Sequence, residues 1–214
     1  MVNRQLEAQY RLSNLSNYPR YVRIVSHLIY FVFRLLYRPC YHGLEYLPVN
    51  GGYIFAGNHV SLFDIPAMHA INPQPIKWLA KKELFSNRFT AKLFRDYEAI
   101  PLDREHASID TMRQVSSVLQ NNGVLGIFPQ GTRVKEEEIA EIKPKAGVAA
   151  IALKRRAMII PFSVPTKMRL GRKNHYYIGP AFSLFSPQRR PSPENMQELS
   201  DELLRNALNL RVSQ

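Results

Sequence analysis

The chain has 214 residues, 45% of them hydrophobic and 21% charged, which fits one folded domain with a sizeable core and excludes a disordered polyelectrolyte. Its formal net charge of +12 calls for an anionic partner, whether nucleic acid, an acidic membrane surface or a phosphorylated substrate. The single cysteine, Cys40, excludes an internal disulfide and a cysteine metal cluster, and a small apolar filler is its expected role.

Residues 1–19 are polar and read as a short helix or an ordered arm. No secretory leader is expected, because the first apolar run starts late and ends without a small-residue cleavage site. That run, Tyr21 to Tyr37, is dense in Val, Ile, Leu, Phe and Tyr but is interrupted by Arg23 and Arg34, with Arg20 and Arg38 flanking it. Its uncharged stretch is about ten residues, short of the roughly 20 that a spanning helix needs. An in-plane helix at a membrane surface, its arginines on lipid phosphates, is therefore expected. A helix buried against the domain is the alternative. Residues 1–40 are read as this helical anchoring segment and 41–214 as one domain with no linker inside it.

Tyr41 to Leu47 reads as a strand, and Tyr53 to Ala56, bounded by Gly51-Gly52 and Gly57, as a buried one. Asp64 opens a helix, with Pro66 in its first turn, that stops before Pro73. Ile76 to Leu79 is a short strand, followed by a helical stretch through Phe94 and a strand from Tyr97 to Leu102. Ser108 caps a helix running to Asn121, with Ile109, Met112, Val115 and Leu119 on one face and Gly123 as the stop. Val124 to Phe128 is a buried strand and Val134 to Ile142 a solvated loop. Ala146 to Arg156 is helical. Met158 to Val164 and Tyr176 to Phe182 are strands joined by a basic loop, Lys167 to His175. Ser192-Pro193-Glu194 starts an amphipathic C-terminal helix carrying Met196, Leu199, Leu203, Leu204, Ala207 and Leu208. This alternation predicts an α/β fold: a mixed, largely parallel sheet flanked by helices, preceded by the membrane-interfacial helical segment.

The chemistry centres on Asn58-His59-Val60-Ser61-Leu62-Phe63-Asp64. His59 falls at a strand end and Asp64 at a helix start, one loop apart. A carboxylate that accepts the proton of one imidazole nitrogen fixes the tautomer and leaves the other nitrogen as a base. Ser61 is a rival nucleophile but lacks the Gly-x-Ser-x-Gly elbow, so a hydrogen bond within the loop is its expected role. A second block, Phe128-Pro129-Gln130-Gly131-Thr132-Arg133, leaves a strand and turns. Gly131 lets backbone N–H groups approach an anion, and Arg133 can clamp a phosphate.

Together the two blocks resemble the glycerolipid acyltransferases of the lysophosphatidic acid acyltransferase family. Lys81-Lys82-Glu83-Leu84 and Ile100-Pro101-Leu102-Asp103-Arg104 look like the two ends of a third family block, and Ile159 to Val164 matches a fourth loosely. The resemblance implies transfer of a fatty acyl group from an acyl-coenzyme A or acyl-carrier-protein thioester to the sn-2 hydroxyl of lysophosphatidic acid. His59 would be the base and Asp64 its orienter. Lys81, Arg104 and Arg133 would hold the glycerol phosphate, with Gln130, Gly131 and Thr132 completing the binding turn. No cofactor and no metal are implied. Membrane association at the cytoplasmic face is. Two departures stand out. Gln130 occupies a position where the family usually has Glu, and a hydrogen bond from it to orient Arg133 is expected. The segment Phe85 to Tyr97 lacks the family's Gly and Pro.

Three other readings are weaker. Another lysolipid could be the acceptor. A basic nucleic-acid- or membrane-binding protein without catalysis would suit the charge, but zinc-ligand spacing and RNP-like aromatic-glycine blocks are missing, so no nucleic acid partner is expected. A metal hydrolase using His59, Asp64 and His69 is disfavoured, because five helical residues put Asp64 and His69 about 140° apart.

Overall fold

The computed structural model describes residues 15, 16, 18–103, 108–135, 138, 141–165 and 167–212. The elements in chain order are α1 (Arg20–Tyr37), β1 (Pro39–His42), β2 (Tyr53–Gly57), α2 (Asp64–Ile71), β3 (Ile76–Lys81), α3 (Arg88–Asp96) and β4 (Ile100–Leu102). After these come α4 (Ile109–Gln120), β5 (Val124–Ile127), α5 (Gly147–Arg155), β6 (Met158–Ser163), β7 (Asn174–Ile178) and α6 (Pro193–Asn209).

One seven-stranded sheet runs in the order β1-β7-β6-β2-β5-β3-β4. All pairs are parallel except β6 with β7, so the sheet is mixed and mostly parallel, as the alternation of elements predicts. Its central strands are buried on both faces. In β2, Tyr53 and Phe55 join one apolar cluster with Val22 and Phe33 of α1 and Met68 of α2, while Ile54 and Ala56 join another with Val115 of α4, Ala149 of α5 and Leu203 of α6. Burial on both faces explains why β2 reads as a continuous apolar run.

Some helices begin at side-chain caps. Ser108 Oγ accepts from Thr111 N and Ser192 Oγ from Asn195 N. Several predicted borders move, each for a local reason. The first strand stops at His42 because Gly43 takes a left-handed φ of 79°, and a Cβ there would lie 2.0 Å from the Ile178 carbonyl oxygen; Leu44–Tyr46 then form a 3₁₀ turn. Tyr97 to Ala99 form the turn into β4, with Glu98 at φ 54°. The last strand ends at Ile178, and Phe182 returns only as an isolated bridge to Ile159. On α4 the buried residues are Thr111, Val115 and Val118, and Ile109 is exposed.

α1 is apolar on two sides. Val22, Tyr30 and Phe33 are buried against the domain. Ile24, Leu28, Phe31 and Leu35 face outward, each 59–66% exposed. Among the described residues, no helix is long and apolar enough to cross a membrane. The predicted element in residues 1–14 lies outside the described residues.

Candidate active site

The four parallel strands β2, β5, β3 and β4 are neighbours, and the candidate residues leave their C-terminal ends. In an open α/β sheet that edge is where ligands bind. His59 follows β2 by two residues, Gln130 to Arg133 follow β5, and Lys81 closes β3. Arg104 lies outside the described residues; β4, which precedes it, ends at Leu102.

His59 and Asp64 face each other. The ring Nδ1 donates to Asp64 Oδ2 at 2.8 Å. The same oxygen accepts from the backbone N–H groups of Val60 and Ser61, both at 2.7 Å. Asp64 is fully buried at the first turn of α2, where the helix dipole also favours a negative charge. A carboxylate held by three donors cannot swing away, so the imidazole has one tautomer and Nε2 is its basic nitrogen. Ser61 Oγ accepts from Phe63 N at 3.2 Å, the loop-bracing role expected of it.

The ring plane is fixed as well. His59 stacks on Phe128 with centroids 3.9 Å apart, and Phe128 stacks on Trp78 at 4.9 Å. Trp78 lies flat because Gly126 offers no side chain; a Cβ there would sit 2.4 Å from the indole. This three-ring slab escaped the sequence reading. The only trace of it was one glycine inside the otherwise apolar run Val124 to Phe128.

The two blocks are joined by their backbones. Val134 N donates to the His59 carbonyl at 2.9 Å, which holds the segment bearing Arg133 beside the histidine loop. Gly131 closes a turn by donating to Phe128 O at 2.9 Å, with φ 70°. Thr132 and Arg133 are exposed. Gln130 corrects an expectation. Its carbonyl oxygen accepts from His59 N at 3.3 Å, and its buried Nε2 has no partner among the described residues. It turns inward to the histidine backbone and does not orient Arg133. Asn58 has a comparable bracing role: Oδ1 accepts from Val164 N at 2.9 Å, tying the loop to the end of β6.

Lys81 is exposed and pairs with Glu83 at 3.4 Å. The trio His59, Asp64 and His69 does not assemble, since His69 is buried between the rings of Tyr18 and Tyr97.

A family model described as Acyltransferase matches residues 38–165, more than half of the chain and every candidate residue named above. The chain belongs to this acyltransferase family. It is similar to the 1-acyl-sn-glycerol-3-phosphate acyltransferase of Bacillus subtilis (strain 168), 31% identical over 118 residues that cover 55% of this chain and 57% of that one. The protein of the same name from Helicobacter pylori is 33% identical over 124 residues, 56% and 52% of the two chains. The chain thus spans about half the length of the curated relatives it matches. The crystal structure of the 1-acyl-sn-glycerophosphate (LPA) acyltransferase PlsC from Thermotoga maritima shares the fold, with a TM-score of 0.60 at 19% identity over 98% of this chain and 96% of that one. The matched region begins at the end of α1 and stops just past β6.

Proposed function

We propose that this acyltransferase moves a fatty acyl group from an acyl-coenzyme A or acyl-carrier-protein thioester to the sn-2 hydroxyl of lysophosphatidic acid, making phosphatidic acid. The observation that carries the reading is the His59–Asp64 pair, 2.8 Å apart, beside the Gln130–Arg133 turn at one edge of the sheet. The names of the relatives support the acceptor.

His59 Nε2 takes the acceptor hydroxyl proton as that oxygen attacks the thioester carbonyl carbon. Asp64 stabilises the imidazolium that forms. The tetrahedral intermediate collapses by breaking its carbon–sulfur bond, and the departing thiolate takes the proton from His59. Arg133, Lys81 and Arg104 hold the phosphate of the acceptor, and Gly131 and Thr132 shape the turn around it. The Lys81–Glu83 pair is exposed and so exchanges readily for a phosphate. The first 40 residues act as the anchor. The outward stripe Ile24, Leu28, Phe31 and Leu35 enters the interfacial layer while Arg20, Arg23, Arg34 and Arg38 meet lipid phosphates. Water-soluble thioester donors assign this surface to the cytoplasmic face.

The test is an assay of the purified protein on vesicles containing lysophosphatidic acid, with each thioester in turn. His59→Ala should lower transfer by at least about 10²-fold while vesicle binding persists. Retained turnover would refute the assignment. Gln130 supports a second reading, a less anionic lysolipid acceptor. A panel of acceptors decides: strong activation of Gln130→Glu towards lysophosphatidic acid would favour that second reading.

A further inference from the structure

At the far edge of the sheet lies a group of side chains that acyl transfer does not use. β1 pairs with β7 in parallel, Cys40 opposite His175, Tyr41 opposite Tyr176 and His42 opposite Tyr177. Strand alternation turns Tyr41 and Tyr176 into the core, where both are buried. It turns Cys40, His42 and His175 to the other face of the sheet, beyond α6, which packs over β2 and β6. Cys40 and His42 are half-buried and His175 is exposed.

The three side chains converge. His42 Nε2 and His175 Nδ1 are 2.9 Å apart, and one ligand atom from each of the three residues lies within 4.8 Å of the others. The imidazoles stack on each other with centroids 5.2 Å apart, and His42 stacks on Tyr177 at 4.8 Å, which limits how far either ring can turn. In a tetrahedral zinc site the metal–nitrogen and metal–sulfur bonds put neighbouring ligand atoms about 3.3–3.6 Å apart. The nitrogens, 2.9 Å apart, need a few tenths of an ångström of opening, and the widest separation, up to 4.8 Å, needs about an ångström of closing, which side chains that are not fully buried can supply. The donor set also selects. One thiolate with two imidazoles suits Zn²⁺ and disfavours Mg²⁺ and Ca²⁺, which want oxygen.

We propose that Cys40, His42 and His175 form a Zn²⁺ site with its fourth position open to water. The ion fastens β1 to β7. Among the described residues β1 has β7 as its sole neighbour in the sheet, and it continues directly from α1, so the site secures the junction between the anchor helix and the domain. The sequence offered only Cys40-x-His42, whose meaning depends on a histidine 133 residues away from His42.

The test uses untagged full-length protein, stripped with chelator and then dialysed against Zn²⁺. One equivalent of metal per chain and a higher unfolding temperature than the stripped protein are expected. Co²⁺ in place of Zn²⁺ should give a thiolate-to-cobalt charge-transfer band in the near ultraviolet. His175→Gln, at an exposed position, and Cys40→Ser, nearly isosteric, should each lose the thermal shift. The Cys40→Ser protein should also lose the band, and both variants should keep wild-type acyl transfer. Failure to retain zinc, a cobalt spectrum without the thiolate band, or uptake unchanged in His175→Gln would each overturn the proposal.

Discussion

Asp64 holds three donors on one oxygen, so it shapes the loop as well as the base. Asp64→Asn puts an amide N–H₂ group among donors or forces the ring into the other tautomer. The expected result is a fall in kcat of about 10²–10⁴ with little change in KM, together with a lower unfolding temperature. His59→Ala, which keeps Asp64 bonded to Val60 and Ser61, should match that loss of rate with a smaller loss of stability. Steady-state kinetics and thermal melts on the two variants separate the roles. Gln130 acts through the backbone: Gln130→Ala frees His59 N and should cost about 1 kcal/mol with a drop in kcat, read by the same measurements. The His59–Asp64 pairing was legible in the sequence because a short loop, residues 58–63, between a strand end and a helix start brings the two side chains together. The direction of Gln130 was not. Which way an amide turns depends on whether a backbone donor from another strand stands inside, and no spacing along the chain encodes that.

At the scale of elements, the Phe128–Gly131 turn and α1 carry the clearest consequences. Gly131 has open space beside it, since a Cβ would lie 3.6 Å from Lys145 Cγ, an ordinary contact. The obstacle to a side chain is the φ of 70°, so Gly131→Ala should cost about 1–2 kcal/mol and displace the Arg133 segment. An elevated KM for the acceptor, with wild-type vesicle binding, is the expected reading. For α1, Phe31→Glu removes an apolar group that is 66% exposed, so melting should be unchanged while co-sedimentation with anionic vesicles falls. The residues of α1 that meet the core and those that face out could not be sorted from sequence, because both faces are apolar. The helix itself was plain from its length and composition. The strand predicted over Tyr41 to Leu47 illustrates the converse. Apolar content continued past His42, but the chain could not, once Gly43 had to pass the Ile178 carbonyl.

For the molecule as a whole, one buried histidine sets an acid limit. Burial lowers the pKa of His69 from 6.5 to about 4, among the rings of Tyr18 and Tyr97. Above pH 6.5 the imidazole is neutral in the folded and unfolded chains alike. As the pH falls from 6.5 towards 4, the unfolded chain binds a proton that the folded chain refuses, so stability is lost across that window and levels off below it. The full effect is about 3 kcal/mol, and His69→Leu should flatten the slope in denaturant titrations at several pH values across the window. The class of fold was legible from alternating elements and doubly buried strands. The order β1-β7-β6-β2-β5-β3-β4 was not, because parallel neighbours are chosen by which helices fit on which face, and among the described strands only β3–β4 and β6–β7 join sequence neighbours.

That order has a consequence for how the protein is made. β1 emerges early but its partner strand emerges near the end, so residues 39–42 wait for residues 174–177. At translation speeds of about 5–20 residues per second the wait is on the order of ten seconds. In its last moments, once β6 has emerged, the edge of β6 that β7 will cover is open too. α1, complete before either, is free of the ribosome tunnel while the domain is still unfinished. The nascent chain therefore carries the outward apolar face of α1 long before it has a closed sheet, and the bilayer docking proposed for that face would, during synthesis, keep it from the aggregation that an open strand edge invites.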